Sequence, residues 1–160
     1  MTLVNRTCCS IRLNGLTNYL DGLNIQHKAL EKVMTGKADC ILILLEHEPV
    51  LTIGKSGGRE NLLVDESELE RLGVELQNTD RGGNITYHGP GQIVGYPVFD
   101  LEEIGIGLKE YIHRLEEAVI QSLGDMGIAA GRLAGATGVW IGLSGNERSR
   151  KICACLLYTS

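Results

Sequence analysis

Apolar residues recur at helical spacing in two long stretches of the chain. In the first stretch the spaced residues are Leu20, Leu23, His27, Leu30 and Met34, and Gly36 provides a stop. In the second stretch they are Leu108, Tyr111, Ile112, Leu115, Val119 and Leu123. Intervals of three or four residues place side chains on one face of an α-helix. The pattern therefore predicts helices from about Thr17 to Thr35 and from Leu108 to near Met126.

Shorter apolar runs predict β-strands. The predicted strands are 40–46, 50–53, 74–78, 93–99, 138–142 and 151–154, and a short helix is expected over 66–72. The last two strands are expected to form a hairpin across the polar loop LSGNERSR. Strands outnumber helices, and helices do not separate every pair of strands. The pattern therefore favours one α+β domain, with a mixed sheet and flanking helices, over a doubly wound parallel sheet.

Composition narrows the class of protein. The chain has 160 residues, 43% of them hydrophobic, which suffices for one domain with a core. Its net charge is −5 and it contains no Lys/Arg run, so nucleic acid is not an expected partner. The N-terminal residues MTLVNRTCCSIRLNG lack the long apolar run of a signal peptide or a membrane helix. The five cysteines include no Cys-x-x-Cys pair, which argues against a disulfide framework or a structural zinc site and favours a reducing compartment.

The stretch RGGNITYHGPGQ, Arg81 to Gln92, is the strongest candidate for a binding site. Glycines at 82 and 83 would let backbone N–H groups approach a ligand, such as a carbonyl or thioester oxygen. If the segment is extended, Thr86 and His88 share one face and Tyr87 points to the other. The alternative is a hairpin with a Gly-Pro-Gly turn and a hydrogen-bonded core histidine. The residues alone leave both interpretations open.

Two lysines raise further possibilities. Lys151 lies where a polar loop becomes an apolar strand, and a lysine near a cysteine favours the thiolate. The alternative is an ordinary surface lysine. Lys55 belongs to Gly54-Lys55-Ser56, which resembles the end of a phosphate-binding loop, but Pro49 stands where that motif requires its first glycine. A nucleotide-binding loop is therefore not expected.

Four segments in order resemble the lipoyl(octanoyl) transferase family. They are EHEPVLTIGK (46–55), DRGGNITYHGPGQIVGYPVFDL (80–101), GVWIG (138–142) and RKICA (150–154). The resemblance covers nearly the whole chain up to Ala154 and favours the binding-site interpretation of both candidates. It implies a fold similar to that of biotin protein ligases and lipoate ligases.

The resemblance also implies an activity, the first step of protein lipoylation. Family members transfer an octanoyl group from octanoyl-acyl carrier protein to a lysine of lipoyl domains, in the E2 subunits of 2-oxoacid dehydrogenases and the glycine-cleavage H protein. A cysteine forms an acyl-thioester intermediate, and no ATP, cofactor or metal is needed because the thioester is already activated. A monomer is implied as well, whereas the expected bacterial cytoplasmic location comes from the lack of an Arg-rich, Ser-rich leader.

By position, the resemblance assigns residues to this chemistry. Lys151 corresponds to the lysine that lowers the pKa of the catalytic cysteine. Apart from the resemblance, the basic residues Lys55, Arg59 and Arg81 are candidates for the surface that docks the acidic carrier protein, although their spacing does not show this. The acyl pocket is expected to be lined by Arg81, Gly82, Gly83, Asn84, Ile85, Thr86, Tyr87 and His88.

The chain departs from the family pattern after Ala154. The family continues with a glycine-containing strand, a His-Gly segment and a Pro-Cys-Gly nucleophile, whereas this chain reads CLLYTS. Neither Cys153 nor Cys155 occupies the nucleophile position. We therefore expect an incomplete catalytic domain over 1–154, a divergent tail over 155–160, missing C-terminal strands, poor stability and no turnover by this chain. Two alternatives remain: an ATP-dependent lipoate or biotin-type ligase, and a non-catalytic fragment that binds acyl carrier protein or a lipoyl domain.

Overall fold

The computed structural model describes residues 7–143 and 148–157. The chain divides into two compact units, the first ending at Asp100 and the second spanning Leu101–Leu157. Both combine strands with helices, and two of the three sheets are mixed, which confirms the predicted α+β class with flanking helices. The prediction of a single catalytic domain through Ala154 stays a prediction.

The first unit contains two three-stranded sheets, ordered β1-β2-β6 and β4-β3-β5. In each, the central strand is parallel to one neighbour and antiparallel to the other. The predicted strands over 40–46, 50–53, 74–78 and 93–99 are confirmed to within a residue, and β1 was not predicted. The elements are β1 Cys8–Thr17, α1 Tyr19–Met34, β2 Cys40–His47, β3 Val50–Ile53, a 3-10 turn Arg59–Asn61, α2 Glu66–Arg71, β4 Glu75–Asn78, β5 Ile85–His88 and β6 Val94–Phe99.

Helix α1 begins two residues later than predicted because Thr17 belongs to β1. The side chain of Asn18 accepts a hydrogen bond from Leu20 N at 2.9 Å and caps the helix. The residues whose spacing predicted the helix are not those it buries, since Met34 is 69% exposed and Leu20 and Leu30 are exposed too. The buried face consists of Tyr19, Gly22, Ala29 and Val33.

Small residues on that buried face let α1 approach β2 closely. A Cβ atom at Gly22 would lie 2.8 Å from Cε1 of His47, a separation that real Cβ atoms do not adopt. Ala29 and Val33 pack against Ile41, Ile43 and Leu45 of β2 in the core of this unit. Burying these apolar side chains is the main source of the unit's stability.

The second unit has α3 Leu101–Ile104, α4 Leu108–Asp125, β7 Ala130–Leu133, β8 Ala136–Ile141 and β9 Arg150–Cys153. These strands form an antiparallel sheet in the order β7-β8-β9, so the predicted hairpin of the last two strands is confirmed. The buried carboxylate of Glu116 on α4 accepts hydrogen bonds from Gly138 N at 2.7 Å and from Arg132 Nε at 3.0 Å. No helix in the described ranges is long and apolar enough to cross a membrane.

Candidate functional site

The glycine segment before β5 lies against the end of β3. Strands β3 and β5 are antiparallel, with Ile53 opposite Ile85. Beyond this pair, Gly54 N donates to Asn84 O at 2.9 Å and Lys55 N donates to Arg81 O at 2.9 Å. Ser56 N donates to Gly83 O at 3.1 Å. Backbone hydrogen bonds therefore tie this segment to the turn after β3 along its length.

Arg81 ties this segment to β3 from inside the unit. Its side chain is buried, with 2% exposure. Nε donates to Thr52 Oγ1 at 3.0 Å, and Nη2 lies 2.6 Å from Thr52 O and 2.9 Å from Asn84 O. Nη1 donates to Gly82 O at 2.9 Å. The planar guanidinium thus holds strand and loop together, which a lysine side chain cannot reproduce.

The burial of Arg81 corrects one sequence-based expectation. A guanidinium with 2% exposure does not contribute to a surface that docks an acidic carrier protein. Of the other two residues proposed for that surface, Lys55 is exposed and Arg59 forms an ion pair with Glu66. The Arg81 side chain instead fixes the conformation of the loop through its hydrogen bonds to Thr52, Gly82 and Asn84.

The carbonyl groups of residues 81–84 are all engaged, and this determines which groups the loop offers to a ligand. Each of these oxygens accepts from a backbone N–H of β3 or the turn after it, from the Arg81 side chain, or from both. The N–H groups of Gly82, Gly83 and Asn84 have no acceptor among residues 7–143 and 148–157, and all three residues are exposed. Gly83 has φ +86°, a left-handed conformation typical of backbone segments that bind anions and oxygens.

The alternation predicted for the next residues is confirmed. Tyr87 is exposed, whereas Thr86 and His88 are half-buried, as is Ile85. The Tyr87 ring lies over Gly89, where a Cβ would approach its hydroxyl group far too closely. His88 therefore lies on the inner side of β5, before the Gly-Pro-Gly turn.

His47 is a residue that the sequence analysis did not identify. It is fully buried at the end of β2, with Nδ1 2.9 Å from Thr17 O and Nε2 2.7 Å from the Tyr96 hydroxyl. A carbonyl oxygen can only accept, so Nδ1 carries the proton and Nε2 accepts from Tyr96. Burial lowers the pKa of His47, and its ring centroid lies 5.8 Å from that of His88. The only sequence signal was a histidine ending an apolar strand.

In the second unit, Lys151 lies directly opposite Trp140 in the β8–β9 ladder. Its Nζ atom is 4.9 Å from the centroid of the indole ring, within cation–π range. Gly138 makes room for this arrangement, because a Cβ there would lie 2.4 Å from Cys153 O and 3.4 Å from Lys151 Cε. The ammonium group is thus positioned by a ring face, which leaves its N–H groups available to an acceptor.

Lys151 also acts on a thiol of its own strand. The pKa of Cys153 is lowered to about 7, chiefly by a hydrogen bond from the Cys155 side chain and also by the charge of Lys151. The effect of Lys151 has the direction expected for a lysine near a cysteine. The expectation that Cys153 does not occupy the nucleophile position stays a prediction.

The contact between Lys151 and Trp140 leads to a spectroscopic prediction. Trp140 is the only tryptophan in the chain. Replacing Lys151 by methionine should change the wavelength and intensity of the tryptophan emission, because the ammonium group no longer lies over the indole ring. The matched control is Lys109→Met, an exposed lysine of α4. Identical emission spectra for the two variants would show that the ammonium does not lie over the ring in solution.

Most of the chain matches a known family. Residues 18–156 match the model of the lipoyl protein ligase A/B catalytic domain. The octanoyltransferase of Parabacteroides distasonis is 51% identical over 145 residues, which cover 88% of this chain and 66% of that protein. The octanoyltransferase of Solibacter usitatus is 44% identical over 155 residues, which cover 97% of this chain and 67% of that protein. The octanoyltransferase of Porphyromonas gingivalis is 48% identical over 145 residues, which cover 88% of this chain and 30% of that protein.

Solved structures show the same fold at lower sequence identity. A bipartite lipoate protein ligase from Thermoplasma acidophilum superposes with a TM-score of 0.58 at 20% identity, covering 86% of this chain and 51% of that one. P. falciparum LipL1 in complex with lipoate superposes with a TM-score of 0.65 at 15% identity, covering 86% of this chain and 41% of that one. The chain spans between 30% and 67% of the length of the curated relatives it matches.

Proposed function

Because the chain belongs to the lipoyl protein ligase A/B catalytic-domain family, we propose that it supplies the acyl-binding part of an octanoyltransferase. The reaction is transfer of an octanoyl group from octanoyl-acyl carrier protein to a lysine of a lipoyl domain. Support comes from relatives named octanoyltransferase at 51% and 44% identity. The resemblance further suggests a monomer that modifies E2 subunits and the glycine-cleavage H protein, and a cytoplasmic location is part of the proposal.

The observation that carries this proposal is the set of N–H groups at Gly82, Gly83 and Asn84. The carbonyl groups in the same peptide planes, those of residues 81–83, are held by the turn after β3 and by the Arg81 side chain, so the donors have a fixed direction before any ligand arrives. Preorganised backbone donors stabilise the negative charge that develops on a carbonyl oxygen during acyl transfer. A thioester carbonyl is therefore the ligand group that this segment fits best.

The remaining roles follow from the family pattern and the local geometry. Lys151 is proposed to lower the pKa of the acyl-accepting cysteine, and its charge is a minor cause of the lowered pKa of Cys153, after the hydrogen bond from Cys155. Ile85, Thr86, Tyr87 and His88 continue from the loop as the proposed wall of the acyl site, and Arg81 supports that wall from behind. An activated thioester donor makes an adenylation step unnecessary.

Binding of a thioester mimic to the uniformly ¹⁵N-labelled chain tests this proposal without requiring turnover. S-octanoyl-pantetheine is expected to shift the amide resonances of Gly82, Gly83 and Asn84 through hydrogen bonds to its carbonyl oxygen. The matched ligand is the octyl thioether of pantetheine, which has the same alkyl chain but no carbonyl group. Equal shifts with both ligands, or none with the thioester, would reject the carbonyl-binding role.

A transfer assay distinguishes the proposed donor from its competitor. Structures similar in fold are lipoate ligases, one of them bound with ATP, so an ATP-dependent ligase is the second candidate. Mass spectrometry of a lipoyl domain would follow modification with octanoyl-acyl carrier protein or with octanoate plus ATP. Modification that needs ATP and free octanoate would reject the transferase assignment. Thioester binding without modification agrees with the expectation that residues 1–160 alone do not turn over.

A further inference from the structure

The hydrogen bonds of His88 determine which of its ring nitrogens carries the proton. Nδ1 lies 2.6 Å from Oε1 of Gln92. The amide of Gln92 is oriented by a second contact, since its Nε2 donates to Tyr87 O at 3.2 Å and a carbonyl oxygen can only accept. Oε1 must therefore face His88, and Nδ1 must be the donor. No residue in the described ranges hydrogen-bonds to Nε2 of His88.

The surroundings of His88 favour this uncharged form. Burial lowers the pKa of His88, and the neighbouring His47 on β2 and Arg81 before β5 lower it further, whereas the hydrogen bond to Gln92 raises it. Glu46, near the end of β2, accepts a hydrogen bond from Gly91 N at 2.7 Å in the turn that follows His88, and among the described residues no acidic side chain is a cause of the lowered pKa of His88. The proton on Nδ1 thus stays in the bond to Gln92, and the lone pair stays on Nε2.

We propose that Gln92 is the positioning residue that holds His88 as the Nδ1–H tautomer, so that Nε2 accepts a hydrogen bond from the amine of the acceptor lysine. The identity of the amine rests on the proposed function. An Nε2 lone pair cannot stabilise a thioester oxygen, which needs donors. The backbone donors of residues 82–84 and the acceptor of His88 therefore serve opposite ends of one reaction, the carbonyl and the amine.

Histidine-selective ¹⁵N NMR tests the tautomer directly. His27 and His113 are exposed and serve as internal references. Wild-type His88 is expected to show a protonated Nδ1 and a bare Nε2. In Gln92→Leu the acceptor is lost, and the spectrum should change to a mixture of tautomers. In Gln92→Glu the carboxylate accepts the same proton, so the Nδ1–H form should persist with a pKa raised by at least about one unit.

Controls separate positioning from a general effect on folding. Gln92 is exposed, and Gln121→Leu on α4 removes an exposed glutamine far along the chain. This control should leave all four histidine spectra unchanged. A wild-type His88 protonated on Nε2, or a Gln92→Leu spectrum identical to wild type, would overturn the positioning role.

The amine assignment has its own readout. N-acetyl-lysine-N′-methylamide, added as a soluble mimic of the acceptor lysine, is expected to shift the Nε2 resonance of His88. Octanoate, which offers only acceptors at neutral pH, should not shift it. A confirmed tautomer with no response to the lysine mimic would overturn the amine assignment, and neither result depends on acyl transfer.

Discussion

Replacing Arg81 by alanine is expected to lower the free energy of unfolding by about 3–5 kcal/mol. The substitution removes the donors that now reach Thr52, Gly82 and Asn84 from a buried position. Buried acceptors that lose a charged donor and gain no water are costly. Urea denaturation followed by circular dichroism measures the change.

Two further variants make the Arg81 result specific. Arg81→Lys keeps the charge but lacks the planar fork, so it should restore only a minor part of the loss. Arg114→Ala removes an exposed arginine that pairs with Glu110 within α4, and it should change stability little. Equal stability of Arg81→Ala and Arg114→Ala would show that the buried bonds do not hold the loop.

Replacing Gly54 by alanine is expected to lower the free energy of unfolding by about 3 kcal/mol and to displace the loop. The new Cβ would lie 2.4 Å from Gly83 O and 2.8 Å from Nη1 of Arg81. The carbonyl belongs to the backbone and cannot rotate away, so strand β3 and residues 81–84 would have to separate. Urea denaturation measures the stability, and amide chemical shifts of Gly82, Gly83 and Asn84 report the displacement.

Gly124 provides the matched glycine control. It lies within α4, and a Cβ there would meet no atom within 4 Å. Gly124→Ala should therefore raise stability by about 0.5–1 kcal/mol, the usual gain for alanine over glycine inside a helix. A Gly54→Ala protein as stable as Gly124→Ala would mean that strand and loop are not in close contact.

The sequence predicted the elements with continuous or periodic apolar patterns. CILILLE became β2 because its side chains enter the core, and Leu108–Asp125 became α4. β1 was missed because CCSIRLNGLT is largely exposed and, among the described strands, pairs with β2 alone at the edge of its sheet. β7 was missed because AGRL has four residues and no apolar run. Such strands are defined by pairing with distant segments, which a local pattern does not contain.

The sequence predicted which residues form the candidate site better than it predicted the contacts that their side chains make. The stretch from Arg81 to Gln92 was identified, as was the alternation of Thr86, Tyr87 and His88. The burial of the Arg81 side chain was not predicted, because its partner Thr52 lies 29 positions away in the sequence. His47 escaped notice for the same reason, since Tyr96 is 49 positions away. Sequence patterns indicate which residues are available, whereas their hydrogen-bond partners depend on tertiary contacts.

The neighbouring imidazoles of His47 and His88 make the stability of the first unit decrease gradually as the pH falls. In an unfolded chain each histidine binds a proton near pH 6.5, whereas in the folded unit both pKa values are lower, chiefly because of burial. Their contribution to stability is therefore complete above that pH and is lost as the pH falls through the folded pKa values. With ring centroids 5.8 Å apart, the first bound proton disfavours the second. Proton uptake by the pair is thus anticooperative and extends over a wider pH interval than the titration of one histidine.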